Sequence, residues 1–204
     1  MSRIITALSR PEKWGAMLLA GGAAFLGVLA LVVGTRTHAQ GEGDPEGDEA
    51  KVRIGLLISP VELDLEGKNP ALVGLGSYIV NAQAQCSNCH TQPQFAPGGN
   101  PFLGQPEVIP ADSYLGGGRL FPVAGGVTSR NITPEPDTGL PAGLTFEEFV
   151  LVMRTGIDLD NAPPHVPSVD NDLLQVMQWP VFRNMSDRDL RAVYEYLRAI
   201  PSVP

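Results

Sequence analysis

Cysteine is nearly missing from this chain of 204 residues: Cys86 and Cys89 are the only two, and they stand in one five-residue stretch. Histidine is almost as scarce, with three in all. The two outside that stretch, His38 and His165, find no further cysteine to join, which argues against a structural zinc site with its four ligands. Basic residues number 14 against 22 acidic ones, a net charge of -8, which argues against nucleic acid as a partner. No internal repeat is present. The one glycine cluster, Gly116-Gly117-Gly118, lacks the lysine and hydroxyl residue of a phosphate loop and opens no helix, so it reads as a turn.

What is present is Cys86-Ser87-Asn88-Cys89-His90, and Cys-x-x-Cys-His is the attachment sequence of a c-type haem. Two thiols one helical turn apart can form thioethers with the two haem vinyl groups, and the next residue lies where an imidazole reaches the iron. His90 is thus the expected proximal ligand. A thioredoxin-like dithiol would stand at the start of a helix in a βαβ pattern, whereas this motif follows a helical stretch. A structural disulfide would leave His90 without a role. One motif implies one covalently bound haem c.

Residues 14–34 carry no charge and are rich in Ala, Leu, Val and Gly, long enough to cross a bilayer. Arg3, Arg10 and Lys13 precede the run and acidic residues follow it. The positive-inside rule then puts residues 1–13 in the cytoplasm and everything past Arg36 outside, on a single-pass bacterial cytoplasmic-membrane protein. Thr37-His38-Ala39 weakly resembles a cleavage site, but an ordinary signal segment is shorter, so a retained anchor is the expectation. Residues 35–69 read as an acidic tether and an extended segment. Residues 41–50 are rich in glycine and acids, while Val52, Ile54, Leu56 and Ile58 alternate like a short strand. If residues 40–70 were unstructured, their span would be roughly 30 Å, enough to swing a membrane-held domain between neighbours.

The remaining stretch, residues 70–204, has room for one modest domain of about 135 residues. Three helices are expected there. The first covers residues 70–85, with Leu72, Leu75, Gly76 and Ile79 at helical spacing and Gly76 permitting a close crossing. The second opens with the capping box Thr145-Phe146-Glu147-Glu148, carries Phe149, Val150 and Met153 on one face, and ends at Gly156. The third opens at Ser186, buries Leu190, Val193, Tyr194 and Leu197, and stops before Pro201. With no convincing sheet, the expected fold class is all-α, preceded by one transmembrane helix.

A low-spin iron needs a second axial ligand, and Met153, Met177, Met185 and His165 are the candidates. Met153 lies on an apolar helical stripe and reads as core, Met185 precedes a helix cap where a hydrophobic staple is ordinary, and His165 sits in a Pro-rich loop. Met177, in Leu174-Gln175-Val176-Met177-Gln178-Trp179-Pro180 just before the last helix, is the favoured one. Arg119, Trp179 and Tyr114 are candidates to line the haem pocket or to hydrogen-bond a propionate, with ordinary packing the competing role for each.

Over about residues 70–200 the chain resembles class I c-type cytochromes, in particular the haem domains in cytochrome subunits of bacterial periplasmic dehydrogenases. The landmarks are Gly76-Ser77-Tyr78-Ile79-Val80 before Cys86 to His90, then Ser129-Arg130-Asn131-Ile132-Thr133-Pro134, the Thr145 helix, and Met177 onward. The resemblance implies an N-terminal helix crossing the C-terminal one, His90 and Met177 as axial ligands, and one-electron shuttling without chemistry on a small-molecule substrate. Where relatives often have Met-Pro, this chain has Met177-Gln178. The expected function is a membrane-anchored monohaem carrier of single electrons on the outer side of the membrane, in a respiratory or photosynthetic chain, with redox proteins or membrane-complex subunits as partners. Two alternatives stand beside it: a fixed subunit of a quinol-oxidising complex or periplasmic dehydrogenase, and a haem enzyme whose methionine ligand is displaced.

Overall fold

Asn69 starts the central helix of the domain. Its side-chain oxygen accepts the N–H groups of Ala71 and Leu72 at 3.0 and 3.4 Å, and Pro70, which has no N–H to satisfy, takes the first helical position. The computed structural model describes residues 45–122, 126–159 and 173–204. The expected anchor, the cleavage motif, His38 and His165 lie outside the described residues. Residues 41–204 form one compact unit. Among the described residues, no helix is long and apolar enough to cross a membrane.

In chain order the described helices are α1 (Pro45–Ile58), α2 (Pro70–Tyr78), α3 (Ser87–His90), α4 (Phe146–Thr155), α5 (Trp179–Phe182) and α6 (Asp187–Leu197). The tether and strand-like segment expected before residue 70 is, over α1, a helix instead. The alternation of Val52, Ile54, Leu56 and Ile58 misled because the contacts follow a helical period. Val52 and Gly55 meet Gly74 on α2, while Ile54, Leu57 and Ile58 are exposed.

α2 lies between α1 and α6, and both crossings are backbone to backbone. A Cβ on Gly55 would stand 1.9 Å from the Gly74 carbonyl oxygen, and one on Gly76 would stand 1.9 Å from that of Ala192. Only glycine allows either approach. The crossing of α2 with α6 is the one the sequence resemblance implied. α6 begins at Ser186, whose hydroxyl accepts the Asp189 N–H at 3.1 Å, with Asp187 and Asp189 complementing the helix dipole. It buries Leu190, Ala192, Val193, Tyr194, Tyr196 and Leu197. α4 carries the expected capping box, the Thr145 hydroxyl accepting the Glu148 N–H at 3.3 Å and Glu148 Oε2 accepting the Thr145 N–H at 2.9 Å. It ends at Gly156, with φ 72°. The Phe146 and Phe149 rings meet Tyr194 of α6 at 5.3 and 5.5 Å.

The domain is mostly helical, as expected for an all-α class, with one small addition. Strands β1 (Leu120–Phe121) and β2 (Val127–Thr128) pair antiparallel, Leu120 opposite Thr128 and Phe121 opposite Val127. A buried polar chain joins the helices beneath the haem motif. Tyr114 donates to Asn81 Oδ1 at 2.5 Å and meets the Tyr196 hydroxyl at 2.9 Å. Tyr196 reaches Ser59 at 3.2 Å, and Asn81 donates to the Ser77 carbonyl at 3.0 Å. Ser77 in turn donates to the Gly55 carbonyl at 2.6 Å. Each group has a partner, so the chain costs little to bury and fixes how α1, α2 and α6 meet. Burial first, then the neighbouring Tyr196, hold the Tyr114 phenol well above its ordinary pKa, so it stays protonated.

Candidate haem site

The last turn before the motif is not α-helical. α2 runs on into a π-turn, Ile79–Gln83, and Gln85 then takes φ 51°, which ends the helix and redirects the chain at Cys86. Cys86 to His90 closes as the single turn α3, with Cys86 O accepting the N–H groups of Cys89 at 3.1 Å and His90 at 2.9 Å. The thiols are free, Cys86 half-buried and Cys89 exposed. Burial, then the neighbouring Cys89, push the Cys86 thiol up to about 12. A dithiol built for disulfide exchange needs the opposite shift.

The His90 ring is fixed from across the molecule. Its Nδ1 lies 2.8 Å from the Arg130 carbonyl oxygen. A carbonyl only accepts, so Nδ1 carries the proton and Nε2 keeps its lone pair. Burial lowers the His90 pKa and so favours the neutral ring, opposed only in part by the Arg130 carbonyl, which acts to raise it. A neutral imidazole with its far nitrogen bound to a carbonyl is the usual form of a metal-ligating histidine.

The hairpin that supplies Arg130 was not anticipated. Gly117 N–H donates to His90 O at 2.6 Å, Gly118 N–H to Ser129 O at 2.9 Å, and Ser129 N–H to Arg119 O at 2.9 Å. Gly117 has φ 79°, and a Cβ there would stand 2.4 Å from the Arg130 carbonyl carbon. The glycine cluster thus lets the segment after β2, which carries Arg130, pass close against the motif. The Arg130 side chain is paired with Asp158.

Arg119 lies beside the motif: Nη1 donates to the Asn88 carbonyl, and the guanidinium lies 5.2 Å over the Phe121 ring. Gln94 supports the same turn by donating to Asn88 Oδ1 at 2.8 Å. The other two pocket candidates are committed elsewhere. The Trp179 indole N–H goes to the Leu174 carbonyl at 3.2 Å, and the Tyr114 hydroxyl belongs to the buried polar chain. For both, these bonds match the packing role weighed beside the pocket one.

Met177 comes from a separate segment and is half-buried at the edge of the same apolar core that Cys86 packs against. Met153 is buried in the core at 5 % exposure, matching its expected role. Met185 lines a cavity of about 200 Å³ with Ile79, Gln83, Ala84 and Phe182. Among the described residues, no group of three or more His, Cys, Asp or Glu side chains could hold a metal ion by itself. The two free thiols and the Nε2 lone pair of His90 fit haem c.

Site and relatives together support one class, a cytochrome c domain with an electron-transfer role, for which haem c is the implied cofactor. The chain is similar to the cytochrome c subunit of alcohol dehydrogenase (quinone) from Gluconobacter oxydans, 29% identical over 152 residues, which is 74% of this chain and 26% of that protein. The corresponding subunit from Komagataeibacter europaeus is 30% identical over 143 residues, 70% of this chain and 25% of that one. The gluconate 2-dehydrogenase cytochrome c subunit of Pantoea cypripedii is 28% identical over 128 residues, 63% of this chain and 23% of it. The chain spans about a quarter of the length of these relatives. No family model and no solved structure matches it.

Proposed function

We propose that this chain is a membrane-anchored monohaem cytochrome c that carries single electrons on the periplasmic side of a bacterial cytoplasmic membrane. Cys86 and Cys89 would hold the haem covalently, and His90 and Met177 would ligate its iron. The observation that carries the reading is the His90 ring held by Arg130 O at 2.8 Å beside two free thiols. When bound, haem c supplies an iron that takes up and releases one electron at a time.

The residues divide the remaining work. The Nδ1–H bond to Arg130 fixes the imidazole plane and makes Nε2 a stronger donor. The Met177 thioether is neutral and soft, which favours ferrous iron relative to a second imidazole. Arg119 brings a fixed positive charge and a fork of N–H donors beside the motif, where a haem carboxylate would be stabilised. The domain surface is acidic, residues 67–204 holding 13 Asp and Glu against 8 Lys and Arg, so encounter with a basic protein surface is favoured.

The test is the visible spectrum of the full chain produced with haem-maturation machinery. Haem that stays with the chain in denaturant, together with a weak far-red sulfur-to-iron band lost in Met177→Ala but kept in Met185→Ala, is the expected result. Extractable haem, or a band indifferent to Met177, contradicts the reading. A second reading, a fixed subunit of a dehydrogenase complex, is favoured by the names of the relatives. Co-purification with a stoichiometric dehydrogenase after mild detergent extraction would support it, and a monodisperse lone chain would count against it.

A further inference from the structure

The segment that carries Met177 is held at both ends by α4. At its entry Leu174 N–H donates to the Gly156 carbonyl at 2.8 Å, and Ile157 and Leu173 pair as an isolated antiparallel bridge. At its exit Arg154 donates to the carbonyls of Arg183 and Met185 and pairs with Asp187 at 2.6 Å. Between these points one side chain closes the loop on itself: the Trp179 indole N–H donates back to Leu174 O at 3.2 Å. Met177 lies inside the ring so formed.

The indole is also seated. Gly156 has φ 72°, and a Cβ there would stand 2.3 to 2.4 Å from Trp179 Cε2, Cδ2 and Nε1. The ring therefore lies against the glycine itself, on a spot no other residue leaves open. Gln178, next to Met177, does not fix φ as a proline would, so restraint on the sulfur must come from outside the backbone at that point.

We infer that Trp179, laid on Gly156 and hydrogen-bonded to Leu174, is a positioning residue that sets how firmly Met177 holds the iron. The inference rests on Met177 being an axial ligand. A loop with its clasp released samples more conformations, and each one that moves the sulfur away leaves the iron open to another ligand.

The experiment titrates imidazole into the ferric, haem-loaded full chain and reads the far-red band and the apparent affinity. Trp179→Phe keeps an aromatic ring beside Gly156 but removes the N–H together with the five-membered part of the indole. It is expected to bind imidazole roughly three- to tenfold more tightly, which is what one neutral hydrogen bond is worth. Gly156→Ala, which displaces the ring, is expected to exceed that and to weaken the band. In a Met177→Ala background the Trp179→Phe effect should vanish, because there is no sulfur left to position.

Lower thermal stability of Trp179→Phe with unchanged imidazole affinity overturns the inference and leaves Trp179 merely structural. If instead Met177→Ala keeps the band, the ligand assignment itself fails, and the inference with it. A measurement on the unaltered protein needs no variant: the Trp179 Nε1–H resonance should be protected from exchange and should lose that protection as imidazole displaces the sulfur. A signal that stays protected throughout overturns the clasp.

Discussion

The two sides of the proposed haem site are built by different means. On the His90 side, three bonds that involve backbone groups converge on one residue: its N–H to Cys86 O at 2.9 Å, its carbonyl from Gly117 at 2.6 Å, and its ring to Arg130 O at 2.8 Å. On the Met177 side the loop is tied to α4 only at its two ends, and between them one indole, resting on one glycine, closes it with an N–H to Leu174 O at 3.2 Å. The first side is part of the domain's framework. The second is a strap, fixed at its ends and clasped in between by a single side chain. Under the proposed ligation, the His90 side is the one expected to stay fixed and the Met177 side the one expected to yield.

The contrast is open to direct attack. The largest effect is expected from Gly117→Ala, which forces φ 79° on an L-residue and drives a methyl to 2.4 Å from the Arg130 carbonyl carbon. A loss of about 3 kcal/mol is expected from the strain and overpacking together, read from denaturant midpoints of the haem-loaded protein. A loss under half of that would mean the hairpin is not framework. Gly76→Ala strikes the ground both sides share, the crossing with Ala192, and should cost about 2 to 3 kcal/mol by the same assay while leaving the far-red band of the folded fraction unchanged. Tyr114→Phe removes the donor to Asn81 and one partner of Tyr196, at a cost of about 1 to 2 kcal/mol. Its imidazole affinity should equal that of the parent, since this network supports the motif side and not the strap.

The smallest effect belongs to Thr145→Ala, about 1 kcal/mol for a lost helix cap, seen as a lower melting temperature. Its pH dependence has a definite sign. The hydrogen bonds from Thr145 hold the Glu148 carboxyl below its ordinary 4.5, so the box contributes fully above that pH and fades as the pH falls through the lowered value. The gap between variant and parent should therefore narrow in acid, and a gap that widens would contradict the capping geometry.

Most of what was local was legible in the sequence. The capping box, the αL stop at Gly156, the Ser186 cap and the close crossing at Gly76 are each written within a few residues, and the five-residue motif states its own chemistry. What the sequence hid is tertiary. α1 looked like a strand because four apolar residues alternate, and only its partner α2 reveals that Gly55 is the contact. The purpose of Gly117 depends on the backbone of Arg130, 13 residues further along the chain, and the seat of Trp179 depends on the end of another helix. For Trp179 and Tyr114 the sequence leaves a pocket role and a packing role open side by side, because composition cannot say that a hydroxyl or an indole N–H is already taken.

The central claim is that Cys86, Cys89 and His90 hold one haem covalently, and mass measurement of the chain matured with haem tests it most directly. The expected result is an intact mass raised by one haem after denaturation, with both cysteines lost to thiol reagents and the addition abolished in the double variant Cys86→Ala, Cys89→Ala. An unmodified mass with two reactive thiols from a chain that has passed through active maturation machinery would contradict it.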